Sequence, residues 1–199
     1  RQSNGQLHVC CDASTNAYGA VAYLRTEFGG EANISFVSSK ARVAPVERPY
    51  IARMELLSAV LAVTLAKSIT AAIGSEIELE IFFWTDSMVA LHWIRGDWYL
   101  WKTYVGNRVK MIQENSSISS WQHIAGKENP ADICSRGISA SKLVESDCIW
   151  WAGPKWLQQP RSQWPCETVR GNATDHPAIA EEAKQSVISL FASTVQQEP

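Results

Sequence analysis

The sequence predicts an α/β fold, a mixed sheet covered by helices, from three observations. Short apolar runs joined by tight turns open the chain, one long stretch of helical spacing follows, and strand-like segments then alternate with helix-like ones. Residues 7–11 form an apolar run that ends at Asp12. After the turn-rich Ala13-Ser14-Thr15-Asn16 a second run, residues 19–24, continues to Gly29-Gly30, so the two make a hairpin. Residues 34–37 supply a third strand. Ile51, Met54, Leu57, Leu61 and Leu65 recur at steps of three and four between Pro49 and Gly74, the spacing of the longest helix. Residues 78–84 alternate at first and become continuously apolar before Thr85-Asp86-Ser87, which marks a buried central strand running into a helix cap. Short helices at 88–94 and 104–114, a strand at 121–124, and a last helix capped by Asn129 with Pro130 in its first position complete the order βββ-α-β-α-α-β-α.

With 46% of its 199 residues hydrophobic and 19% charged, the chain has a globular composition and enough length to bury about 70% of its unfolded surface, which excludes disorder and collagen. The body is read as residues 1–140. Beyond it Trp150, Trp151, Trp156 and Trp164 interleave with Pro154, Pro160 and Pro165, a Trp/Pro-rich extension over 141–166. Residues 167–199 are polar and rich in Ala, Gln and Glu, read as a linker towards a downstream domain, with an amphipathic helix at 178–195. The start, Arg1-Gln2-Ser3-Asn4, reads as a piece of a longer chain. The longest apolar stretch, residues 56–66, contains Ser58 and Thr64, is closed by Glu55 and Lys67 and falls short of the roughly 20 residues that span a bilayer, so no membrane partner is expected. Five cysteines without a CxxC pair favour neither a disulfide framework nor structural zinc, and a reducing interior fits them.

Four acids sit where elements begin or end: Asp12, Glu55, Asp86 and Asp132. Singly, each has an ordinary explanation as a turn former, a helix cap, a helix-dipole partner or a solvated helix residue. Together they point to chemistry, because functional groups gather beyond the carboxyl ends of neighbouring parallel strands. Four carboxylates in one cleft need cations, and oxygen ligands without His or Cys select Mg²⁺ or Mn²⁺. A pair of such ions about 4 Å apart activates water and stabilises a phosphodiester undergoing in-line displacement.

The motifs around these acids carry a resemblance. Leu7-His8-Val9-Cys10-Cys11-Asp12-Ala13-Ser14, Ala52-Arg53-Met54-Glu55-Leu56-Leu57, Trp84-Thr85-Asp86-Ser87 and Gly126-Lys127-Glu128-Asn129-Pro130-Ala131-Asp132 resemble a ribonuclease H domain in their order Asp, Glu, Asp, Asp. Lys40-Ala41-Arg42-Val43-Ala44-Pro45, Trp101-Lys102-Thr103-Tyr104, Ser135-Arg136-Gly137 and Trp150-Trp151-Ala152-Gly153-Pro154 are similar to the ribonuclease H segment of Pao/BEL-type retrotransposon polyproteins. The resemblance implies a ribonuclease H-like fold, a five-stranded mixed sheet flanked by helices, and cleavage of the RNA strand of RNA/DNA hybrids during reverse transcription. It implies two Mg²⁺ or Mn²⁺ ions on Asp12, Glu55, Asp86 and Asp132, with reverse transcriptase upstream and integrase downstream. Its setting would be a cytoplasmic retroelement particle or the nucleus. Many cellular relatives carry a His directly after a Gly in the loop before the last aspartate. Here Gly126 is followed by Lys127, and His123 lies earlier, on the predicted strand, where a structural role is expected. Gypsy-type enzymes also lack the loop His, so turnover rather than activity is expected to suffer.

Residues 1–140 hold 13 basic and 13 acidic side chains, so setting the four metal-directed acids aside leaves this part at +4, modestly suited to phosphates. Ser14 and Asn16, in the turn after Asp12, are candidates for sugar and phosphate contacts, with Lys127 and Arg108 as further substrate-binding residues. Lys102, Arg108 and Lys110 with Trp98, Trp101 and Tyr104 could form a hybrid-binding edge, or the basic outer and aromatic inner faces of an ordinary helix. Two alternatives stand beside the nuclease. An integrase core expects the order Asp, Asp, Glu, which this chain lacks. A non-catalytic ribonuclease H-like spacer or interaction module would have no need of four intact acids.

Overall fold

In a computed structural model, which describes residues 5–47, 49–74, 78–145, 147–165 and 176–184, five strands form one mixed sheet in the order β3-β2-β1-β4-β5. β1 (Gly5–Ala13), β2 (Ala17–Phe28) and β3 (Glu31–Val43) make an antiparallel meander, while β4 (Leu79–Thr85) and β5 (Trp121–His123) add parallel strands on the other side of β1. The expected α/β architecture and mixed sheet are thus present. β3 is far longer than the stretch 34–37 that looked strand-like. As an edge strand it exposes one face, so Ser35, Ser39 and Arg42 take positions that the search for apolar residues passes over.

β1 is the centre of the core because both of its faces are covered. Leu7, Val9 and Cys11 point to one side and meet α1 (Ile51–Ile73), which buries Ala52, Leu56, Ala59, Val63 and Ala66. α2 (Met88–Arg95) and α3 (Thr103–Asn115) complete that layer. α1 stops at Gly74, whose φ of 79° suits a residue without a Cβ. By length and composition α1 would qualify as a membrane-crossing helix, which corrects the expectation drawn from the shorter stretch 56–66. Half of its most apolar window is buried inside the fold, where it acts as the core helix.

The other face of the sheet, with Cys10, Val21, Tyr23, Phe82 and Trp84, is roofed by the Trp/Pro-rich segment through Trp156, Leu157 and Trp164. Buried Arg25 pins this roof. Its Nε donates to the Leu157 carbonyl at 2.7 Å, Nη1 donates to Gln6 Oε1 at 2.9 Å, and the guanidinium lies 5.4 Å over the Trp164 ring and pairs with Glu27. The Tyr23 hydroxyl donates to the Trp150 carbonyl at 2.9 Å. Tryptophan and proline do here what helices do on the first face.

After β5 come the short helices α4 (Asp132–Arg136), α5 (Ala140–Leu143) and α6 (Ile149–Ala152). Asn129 does not cap a helix that starts with Pro130. Its Oδ1 accepts from Ala131 N in a turn, and α4 begins only at Asp132. Within the stretch read as a linker, α7 (Pro177–Glu182) packs on the α1–α2 layer. Buried Glu182 accepts from Tyr50 and Arg53, and its carbonyl accepts from Lys102 N at 2.7 Å. The expected helix ends at Glu182 because Ala183 turns to extended backbone and bridges to Trp101. Its remainder, residues 185–195, lies outside the described residues.

Candidate metal centre

Parallel pairing of β1 with β4 sets Cys11 opposite Thr85, so the next residues, Asp12 and Asp86, leave the sheet side by side. Ser87, not Asp86, caps α2: its Oγ accepts from Ala90 N at 3.2 Å, which leaves the Asp86 carboxylate free to face Asp12. α1 crosses above this edge and brings Glu55 down in its second turn. The result is a cluster in which one carboxylate oxygen from each of Asp12, Glu55 and Asp86 lies within 4.8 Å of the others. Gly126 closes the cluster from the loop after β5. A Cβ there would stand 2.9 Å from Asp86 Oδ2, so no other residue fits without moving that carboxylate.

Burial raises the pKa of all three acids, and repulsion from neighbouring carboxylates adds to it. Glu55 is pushed up to about 9 by desolvation first and then by Asp12 and Asp86, partly offset by a backbone bond from Ala13. Asp12 is pushed up to about 6 by burial, against the opposing effect of its bond from Ser135. Asp86 is raised mainly by burial, while Asn129 and the charge of His123 act the other way. Without a cation the cluster cannot hold three charges at neutral pH. Glu55 Oε2 is buried with no hydrogen-bond partner, the state of an oxygen positioned for a ligand. Burial keeps the neighbouring Cys11 thiol protonated, so the donor set is oxygen alone and fits Mg²⁺ or Mn²⁺.

Asp132, expected as the fourth ligand, stands apart from this group. Its Oδ1 accepts from Arg136 Nε one helical turn on, and its side chain is 46% exposed. It is still close enough for its charge to raise both Asp12 and Asp86. Ser14 is buried and committed: its Oγ donates to the Ser135 carbonyl at 2.7 Å and accepts from Asn16 N and Ala17 N. It ties the turn to α4. Asn16 and Lys127 are exposed, Lys127 in the loop that Gly126 opens. Arg108 lies on α3, where it donates to the Tyr104 carbonyl and stacks 3.5 Å over the Tyr104 ring. Of the aromatic side chains expected near it, Trp101 belongs to the core, whereas Trp98 is 39% exposed with Lys110 over its ring. His123 ends β5 opposite Thr85, on the expected strand and close enough for its charge to act on Asp86.

Two residues that hold the acids escaped the sequence reading. Ser135 Oγ donates to Asp12 Oδ2, and Asn129 Nδ2 donates to the Cys11 carbonyl at 3.0 Å and to Asp86 Oδ1 at 3.3 Å. Their partners lie up to 123 residues away in the chain, so only their place in the motifs around Asp132 could have singled them out. Gly19 makes the approach possible, since a Cβ there would fall 2.2 Å from Cys134 Cβ on α4.

Among solved structures the chain is similar to the N-terminal RNase H domain of rv2228c from Mycobacterium tuberculosis, a fusion with maltose-binding protein. Identity is 13% and the TM-score 0.45, over 67% of this chain and 91% of that one. It is also similar to RNase H1 of the halophilic archaeon Halobacterium salinarum, at 16% identity and TM-score 0.39, over 65% and 93%. An Aquifex aeolicus PPX-GPPA enzyme matches at 9% and 0.30, over 63% of this chain and 38% of its own. No curated protein matches the sequence. Residues 1–87, which bring in Asp12, Glu55 and Asp86, match the model of the Pao retrotransposon-like RNaseH-like domain.

Proposed function

We propose that the chain is a metal-dependent endonuclease that cuts the RNA strand of RNA/DNA hybrids during reverse transcription of a Pao/BEL-type retroelement. In this reading it lies between reverse transcriptase and integrase in one polyprotein and works in a cytoplasmic retroelement particle or the nucleus. The observation that carries the reading is the convergence of Asp12, Glu55 and Asp86 within 4.8 Å, with Glu55 Oε2 buried and without a partner. Two divalent ions bound there would supply an activated water and stabilise the attacking and leaving oxygens. Asp12 and Asp86 would hold them from the sheet, with Ser135 and Asn129 fixing the two carboxylates, and Glu55 would hold them from α1. Asp132 would join as the fourth ligand on release from Arg136. Lys127 and Asn16, exposed beside the acids along the chain, meet the sugar-phosphate backbone, and Arg108 extends the contact on α3.

The test is cleavage of a labelled RNA/DNA hybrid with Mg²⁺ or Mn²⁺, with single-stranded RNA, duplex DNA and chelator as controls. Cleavage confined to the hybrid and abolished by chelator supports the reading. An intact hybrid under all metal conditions, or equal cutting of single-stranded RNA, overturns it.

A further inference from the structure

Arg136 is a cation beside the acid cluster. It is 63% exposed, its Nε donates to Asp132 Oδ1, and its charge also offsets the repulsion felt by Asp12 and Glu55. Ser135, the residue before it, holds Asp12, so α4 clamps one acid inside the cluster while it keeps another outside. We propose that Arg136 is a displaceable counter-cation: it occupies Asp132 while the site is empty and competes with divalent ions for that carboxylate. The inference rests on the metal reading above and adds a built-in check on loading. An exposed pair of this kind is weak, so ions can displace it.

The experiment is Mn²⁺ titration by calorimetry without nucleic acid, on the parent, Arg136→Ala, Arg136→Lys, Asp132→Asn and the double variant Asp132→Asn/Arg136→Ala. Arg136→Ala should bind Mn²⁺ roughly three- to tenfold more tightly than the parent, with Arg136→Lys closer to the parent. In the Asp132→Asn background the same change should shift affinity less than about twofold, because no carboxylate is left to release. Unchanged or weaker binding by Arg136→Ala, in a parent that does bind Mn²⁺, overturns this inference and leaves the metal reading standing. A full gain in the Asp132→Asn background overturns it too, since Arg136 would then act by its field alone. Absence of Mn²⁺ binding in both parent and Arg136→Ala sinks the metal reading and the inference together.

Discussion

Replacing Glu55 with Gln should remove a pH dependence of stability that the acid cluster creates. In the fold Glu55 titrates at about 9, against 4.5 for an ordinary glutamate. A group whose pKa is raised by folding contributes its full stability below the unfolded value and loses it as pH climbs towards the folded value. The metal-free protein should therefore weaken as pH rises, by up to about 1.4 kcal/mol per unit. Asp12, at about 6, is mostly ionised at pH 6.5, so Glu55 dominates the window from pH 6.5 to 8.5. The ceiling there is about 2.7 kcal/mol. Glu55 is half-buried, so solvent screening lowers the expected effect to about 1–2 kcal/mol. Urea unfolding in chelator at pH 6.5, 7.5 and 8.5 measures this, with Glu55→Gln expected to be flat where the parent falls. Saturating Mg²⁺, at 100 times its dissociation constant, should restore about 2.7 kcal/mol to the parent alone. A parent that is flat across the window, or a variant that falls in parallel with it, would refute the reasoning.

Gly19→Ala should destabilise the fold by about 1–3 kcal/mol and displace α4, since the new Cβ overlaps Cys134; chemical denaturation and Mn²⁺ titration should both register the change. Trp156→Ala should cost about 3–5 kcal/mol by opening a cavity under the roof of the sheet, and a loss below 1 kcal/mol in a melt would show that the Trp/Pro segment is only loosely attached. Lys127→Ala should weaken hybrid binding severalfold and lower the slope of log affinity against log salt by about one, as read by fluorescence anisotropy over a salt series. An unchanged slope would remove Lys127 from the substrate contacts.

The parts of the fold written in apolar periodicity were legible. The hairpin, α1, and β4 running into α2 follow from residues spaced at two or at three and four, and the acids at their ends mark one edge of the sheet. β3 was read short because polar residues fill the open face of an edge strand. The roof of Trp156, Leu157 and Trp164 was visible as composition, but nothing local says that it covers Phe82 and Trp84. Within the cluster, the convergence of Asp12 and Asp86 was readable because parallel neighbours end together. The bonds from Ser135 and Asn129, the capture of Asp132 by Arg136 and the inward commitment of Ser14 were not, because each depends on how α4 docks against β1 and β2.

Anomalous diffraction from crystals soaked in Mn²⁺ tests most directly whether the three carboxylates share ions. Two peaks about 4 Å apart, both in contact with oxygens of Asp12, Glu55 or Asp86 and both lost in Asp86→Asn crystals, are the expected result. Strong peaks elsewhere on the surface with none among these side chains would contradict it.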